Sequence, residues 1–175
     1  MAKLTKNNGR ILSLLADYPH KQFFTKEISD RLKISLGGTH NSLRDLAKAK
    51  MVILEQKGNM KFFRINLQNP LVRQLRVAII IEIMSPIIQK IKKYSLKIIL
   101  FGSAARGEQT AKSDIDLFIL TNNISDVKAV LPQKINQMSV KAIIKNPNEW
   151  GEMEIKEPEF FLEIKQGIKL YEPEF

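Results

Sequence analysis

Asp114 and Asp116 stand two positions apart in the run Ser113-Asp114-Ile115-Asp116-Leu117-Phe118, and ten residues separate Asp114 from Ser103. Residues 114–120 read as a strand, whose period of two puts both carboxylates on one face and Ile115 on the other. Two carboxylates side by side repel unless a cation lies between them. Mg²⁺ suits that place, because it takes oxygen ligands and leaves positions for phosphates and water. Two such ions about 4 Å apart stabilise both the attacking and the leaving oxygen of an in-line phosphoryl displacement.

A second element precedes the acids: Ile98-Ile99-Leu100-Phe101-Gly102-Ser103-Ala104-Ala105-Arg106-Gly107. Residues 96–101 predict a buried strand that Gly102 ends with a turn. Glycine lets the backbone approach a phosphate with no side chain in the way. A short helix starting near Ser103 would offer free N–H groups to an anion, and the Ser103 hydroxyl adds a donor. Arg106 and Ser113 are placed to touch phosphate or to brace the loop.

Together, the Gly-Ser turn after one apolar strand and the Asp-x-Asp in the next resemble the signature of the DNA polymerase beta-like nucleotidyltransferase superfamily, in particular its minimal nucleotidyltransferases. The resemblance implies an α/β nucleotidyltransferase fold with a small mixed sheet flanked by helices. It implies a Mg²⁺-dependent transfer of a nucleoside monophosphate from a nucleoside triphosphate, ATP by first expectation, to an acceptor hydroxyl. Asp114 and Asp116 would be the catalytic metal ligands; Gly102, Ser103, Arg106 and Ser113 would bind the nucleotide. Related minimal nucleotidyltransferases often act with a HEPN-domain partner, which here would be a separate chain.

The family normally supplies a third carboxylate from a strand after the next helix. That strand is expected at Met138–Lys145, yet residues 127–148 contain no Asp or Glu. Ser139, Lys141 and Ile143 alternate on one face, Val140, Ala142 and Ile144 on the other, and Lys141 sits about where the acid belongs. Three explanations stay open: the Lys141 ammonium replaces one metal charge, Glu149 or Glu152 reaches in, or the domain binds nucleotide without turnover.

The elements upstream predict a second function. Ile11, Leu12, Leu14 and Leu15 mark an amphipathic helix over 8–17. Thr25 is the expected N-cap of a helix to about Leu32, residues 33–38 a turn, and 39–50 a third helix. Residues 51–56 and 61–67 read as strands joined by a hairpin at 57–60. Three helices followed by a basic hairpin resemble a winged helix-turn-helix domain, which implies double-stranded DNA as a partner. Its third helix would enter the major groove through Thr39, His40, Asn41 and Arg44, with Lys57, Lys61 and Arg64 on phosphates.

Charge agrees with that division. Residues 1–95 hold 18 Lys+Arg and 6 Asp+Glu, net +12, and residues 96–175 hold 10 and 12, net −2, which together make the +10 of the 175-residue chain. A basic half beside a near-neutral one points to an anionic partner for the former. The absence of cysteine excludes disulfides and thiolate metal sites and fits a cytoplasmic protein. The N-terminus has no apolar signal core. The apolar stretch 71–94 is broken by Arg73, Arg76 and Glu82, which argues against a membrane span; Pro86 is expected to kink or break it. Its excess of apolar surface suggests a homodimer. The chain is thus expected to divide into a winged helix at 1–68, a linker helix at 69–95 and a nucleotidyltransferase domain at 96–175. Two functions compete: the enzyme, and a DNA-binding regulator whose C-terminal domain senses nucleotide without turnover.

Overall fold

The structure, a computed structural model, describes residues 5–110, 113–135 and 138–173. The chain falls into two units, Met1–Leu75 and Arg76–Phe175.

In the first unit, α1 (Lys6–Asp17) begins where the Thr5 side chain accepts a hydrogen bond from the Asn8 N–H, and it buries Ile11, Leu12 and Leu15. β1 (Phe23–Phe24) leads directly into α2 (Thr25–Leu32); Phe24 occupies the cap position and Thr25 is the first helical residue. Lys33, at φ 50°, ends α2 in the left-handed region. α3 runs Leu36–Lys48, three residues earlier than expected, because the Ser35 side chain accepts from the Gly38 N–H and draws Gly37-Gly38 into the first turn. β2 (Val52–Lys57) and β3 (Met60–Ile65) pair antiparallel around Gly58-Asn59, with Gly58 at φ 57°. The sheet order is β1-β3-β2. Helix, strand, helix-turn-helix and two-stranded wing in this order make the unit a winged helix-turn-helix.

α4 (Pro70–Ile91) spans the division between the units. Pro86 lies inside it without ending it. The carbonyl that proline deprives of a partner is that of Glu82, and both residues are exposed, so water can take the bond.

In the second unit come β4 (Lys97–Phe101), α5 (Gly102–Ala105), β5 (Ile115–Leu120), α6 (Ile124–Val130), β6 (Lys134–Ile135), β7 (Met138–Lys145), α7 (Pro147–Lys156), α8 (Pro158–Lys165) and β8 (Ile168–Tyr171). The order is β6-β7-β5-β4-β8, mixed: β5 and β7 run parallel with α6 in their crossover, and the other pairs are antiparallel. The helix expected over 125–137 ends at Val130. Pro132 disfavours helix at the residue before it, and β6 follows; residues 136 and 137 lie outside the described set.

Both faces of the sheet are covered, so β4 and β5 are apolar at nearly every position. Ile98, Leu100, Ile115, Leu117 and Ile119 pack with Ile80, Met84, Ile88 and Ile91 of α4. On the opposite face Ile99, Phe101 and Phe118 pack with Met153, Phe161 and Ile164 of α7 and α8. Alternation on β7 follows the sequence: Val140, Ala142 and Ile144 join the first cluster and Ile143 the second.

Candidate functional site

β4 and β5 end side by side, with Phe101 opposite Asp116. Gly102 turns the chain out of β4 at φ 67°. A Cβ built on it would lie 2.6 Å from Asp116 Oδ2, so any other residue would strain the turn and push that carboxylate aside. The Gly-Ser turn and the acidic pair therefore meet. Ser103 is half-buried in the first turn of α5. That helix has four residues, too few for a macrodipole, so any grip on phosphate comes from local N–H groups and the hydroxyl.

Asp114 precedes the first residue of β5, and Asp116 is its second residue. Burial pushes the Asp116 carboxyl above the usual carboxylate range, and the charge of Asp114 adds to the shift. Lys141 and Arg106 oppose it, while Glu163 of α8 reinforces it. Lys141 on β7 stands in register with Asp116, and its Nζ lies 2.6 Å from Asp114 Oδ2. The lysine side chain is 69% exposed, so the pair sits at an open rim. Its hydrogen bond to Asp114 holds the ammonium above the ordinary lysine range.

Two carboxylates, one of them resisting ionisation, fit one divalent cation completed by phosphate oxygens and water. They do not fit a second ion, because β7 offers an ammonium where a further carboxylate would be needed. Among the described residues no group of three His, Cys, Asp or Glu is placed to hold a metal. Glu149 and Glu152 do not make up the shortfall: Glu149 closes the capping box of α7 with Asn146, and Glu152 pairs with Lys156. Besides Asp114, the carboxylate whose charge acts on Asp116 is Glu163, which sequence spacing did not reveal.

The remaining nucleotide candidates brace the loop. Arg106 reaches Glu108 at 3.1 Å and Glu163 at 3.6 Å. Ser113 Oγ accepts from the Thr110 N–H at 2.8 Å. Arg76 of α4, 3% exposed, donates to the Gly107 carbonyl at 2.9 Å and also to the Gln109 carbonyl, tying down the loop after α5. The sequence reading had Arg76 only as a charge interrupting an apolar run.

On the winged helix, His40, Asn41 and Arg44 are exposed along α3, and Arg44 lies 3.8 Å from Asp45. Thr39 does not belong with them. It is fully buried and its hydroxyl donates to the Ser35 carbonyl, a consequence of the earlier helix start. Arg64 is paired through Nε with Glu55 at 2.9 Å across the wing, and its side chain stays partly exposed. Lys57 donates to Gln22 Oε1 at 2.7 Å, and Lys61 is exposed.

Fold and site together define a winged helix-turn-helix protein with a nucleotidyltransferase-type second unit. The sequence model of the nucleotidyltransferase domain matches residues 74–170, more than half of the chain, and the chain belongs to that family. No curated protein matches it. Among solved structures it is similar to the AntR antimony-specific transcriptional repressor, at 19% identity over 49% of this chain and 74% of that one, TM-score 0.41. It is also similar to a homodimeric winged helix-turn-helix DNA-binding domain from Mycobacterium bovis, at 18% over 46% and 70%, TM-score 0.38. A ZitR mutant from Lactococcus lactis gives 20% over 53% and 64%, TM-score 0.41. Likenesses this slight carry no weight for function.

Proposed function

We propose that the second unit binds a nucleoside triphosphate at Gly102, Ser103, Asp114 and Asp116 with one Mg²⁺ on the two acids, and transfers the nucleoside monophosphate to an acceptor hydroxyl. The acceptor oxygen, giving up its proton to solvent, bonds to the α-phosphorus as the α–β phosphoanhydride bond breaks and pyrophosphate leaves. The ion supplies positive charge against the phosphate oxygens. The observation that supports this reading is the close approach of the Gly102 turn to Asp116, which sets the Gly-Ser turn beside the acid pair. ATP is the nucleotide we expect. The winged helix brings this unit to duplex DNA through His40, Asn41, Arg44 and Lys61, and a second copy of the chain would match a palindromic site.

A second reading, a DNA-binding regulator that senses nucleotide without turnover, is favoured by one observation: the ammonium of Lys141 against Asp114. One experiment separates them. The protein is incubated with labelled ATP, Mg²⁺ and candidate acceptors, beside an Asp114→Ala/Asp116→Ala variant. Transfer of label that disappears in the variant establishes the enzyme. Saturable ATP binding without transfer, together with salt-sensitive duplex binding, establishes the regulator.

A further inference from the structure

Along β4, from Lys97 to Ile99, the face covered by α7 and α8 opens into a cavity of about 500 Å³. Gly102, Ser103, Asp114 and Asp116 are not among its lining residues, so this cavity and the acid pair have separate walls. Its apolar wall is Ile99, Trp150 and Phe161, and its cations are Lys97, Lys165 and Lys169. Glu154 is the carboxylate on the wall. Gly167 brings α8 close to the sheet: a Cβ there would lie 2.5 Å from the Leu100 carbonyl.

The lysines are not scattered. Glu172, just beyond β8, reaches Lys97 Nζ at 2.6 Å and also pairs with Lys169, so one carboxylate gathers two ammoniums. The third, Lys165, lies over the Phe161 ring at 5.5 Å. We propose that the cavity is a second ligand site, for a small phosphate-bearing molecule with a flat apolar body, a nucleotide, and that Glu172 stands in for the ligand's phosphate when the site is free.

The chemistry favours that class. Three ammoniums facing two nearby carboxylates leave an excess of positive charge, and lysine serves phosphate as a compact point charge. An apolar wall with a few convergent charges, at this volume, is the usual make-up of a site for a molecule of nucleotide size. The hydrogen bonds from Lys169 and Lys97 hold the Glu172 carboxyl below the usual range, so it is a charged competitor at neutral pH.

Trp150 is the single tryptophan of the chain, so its emission reports on this cavity directly. The full chain is titrated with AMP, adenosine, inorganic phosphate and a glutamate-rich peptide, without divalent ions. AMP is expected to change the emission saturably, with adenosine and phosphate each weaker, and the Asp114→Ala/Asp116→Ala variant is expected to respond as the parent does. Lys97→Gln or Lys169→Gln should weaken AMP by about tenfold. Glu172→Gln should tighten it, a gain that misfolding would not produce. No saturable response to AMP, a response lost with the acids, a response to the peptide alone, or an unchanged affinity in Glu172→Gln would each overturn the assignment. Failure of nucleotidyl transfer in the earlier assay would leave it standing, since that assay reads the acid pair and not the residues that line this cavity.

Discussion

Lys141 Nζ lies 2.6 Å from Asp114 Oδ2, and its backbone is in register with Asp116 on the neighbouring parallel strand. The strands at this end of the sheet thus present two carboxylates and one ammonium, with Arg106 and Glu163 acting on Asp116 from beside them. Lys141→Ala should raise affinity for Mn²⁺, read by calorimetry or spin resonance, by about two- to fivefold, the size of an exposed pair. Lys141→Asp should raise it further by adding a carboxylate at the register position. If neither change alters cation affinity, the ammonium does not compete for the acids.

Asp116 carries a pH dependence whose sign follows from its environment. Burial and the charge of Asp114 favour its protonated form in the fold. Between the ordinary carboxylate range and its raised value, the folded chain binds more protons than the unfolded one, so stability falls as pH rises through that window. Cation binding needs the ionised group and strengthens over the same window. Asp116→Asn should therefore raise Tm by about 2–4 °C at neutral pH while abolishing cation binding, as melting curves with and without Mn²⁺ would read.

Gly102→Ala tests the close approach. The position combines φ 67° with a carboxylate oxygen 2.6 Å from any Cβ. A loss of about 1–3 kcal/mol is expected from backbone strain, with nucleotide binding lost as Asp116 is displaced. Urea melts and an ATP titration on the same variant check both parts.

Arg76→Leu should cost about 2–4 kcal/mol, because it leaves the carbonyls of Gly107 and Gln109 buried without their donor. Trp150 lies in the same unit as Arg76, so urea unfolding followed by its emission is the measurement.

On the winged helix, Arg44→Ala should weaken duplex binding by about 1–3 kcal/mol and relax sequence preference if it reads a base. Lys61→Ala should weaken all sequences alike and lower the salt slope by about one. Thr39→Ser should change neither, since Thr39 is buried and its hydroxyl is spent on Ser35. Filter binding across salt concentrations distinguishes the three.

What the sequence made legible was local and periodic. The Gly102 turn, the two faces of β7 and the place of Lys141 beside the acids all follow from a period of two and a change from apolar strand to glycine. What it hid was decided by single hydrogen bonds or by contacts across the fold. Gly37-Gly38 read as a turn until the Ser35 cap drew them into α3, and with that shift Thr39 moved from the groove face to the interior. Glu55 pairs with Arg64 from the adjacent strand, a contact no sequence spacing announces. The charge of Glu163, on α8 and far along the chain, acts on Asp116, and no spacing rule joins positions that distant.

Helix α4 has a practical consequence. From Arg76 onward its apolar side chains form one wall of the second unit's interior, through Ile80, Met84, Ile88 and Ile91. A fragment cut to begin at Lys97 would strip that wall and lay Ile98, Leu100 and Leu117 open to solvent, inviting aggregation. Anyone wishing to crystallise or label the nucleotidyltransferase-family half by itself should start the gene at Arg76 or before, since the helix is masonry for that half and no mere tether.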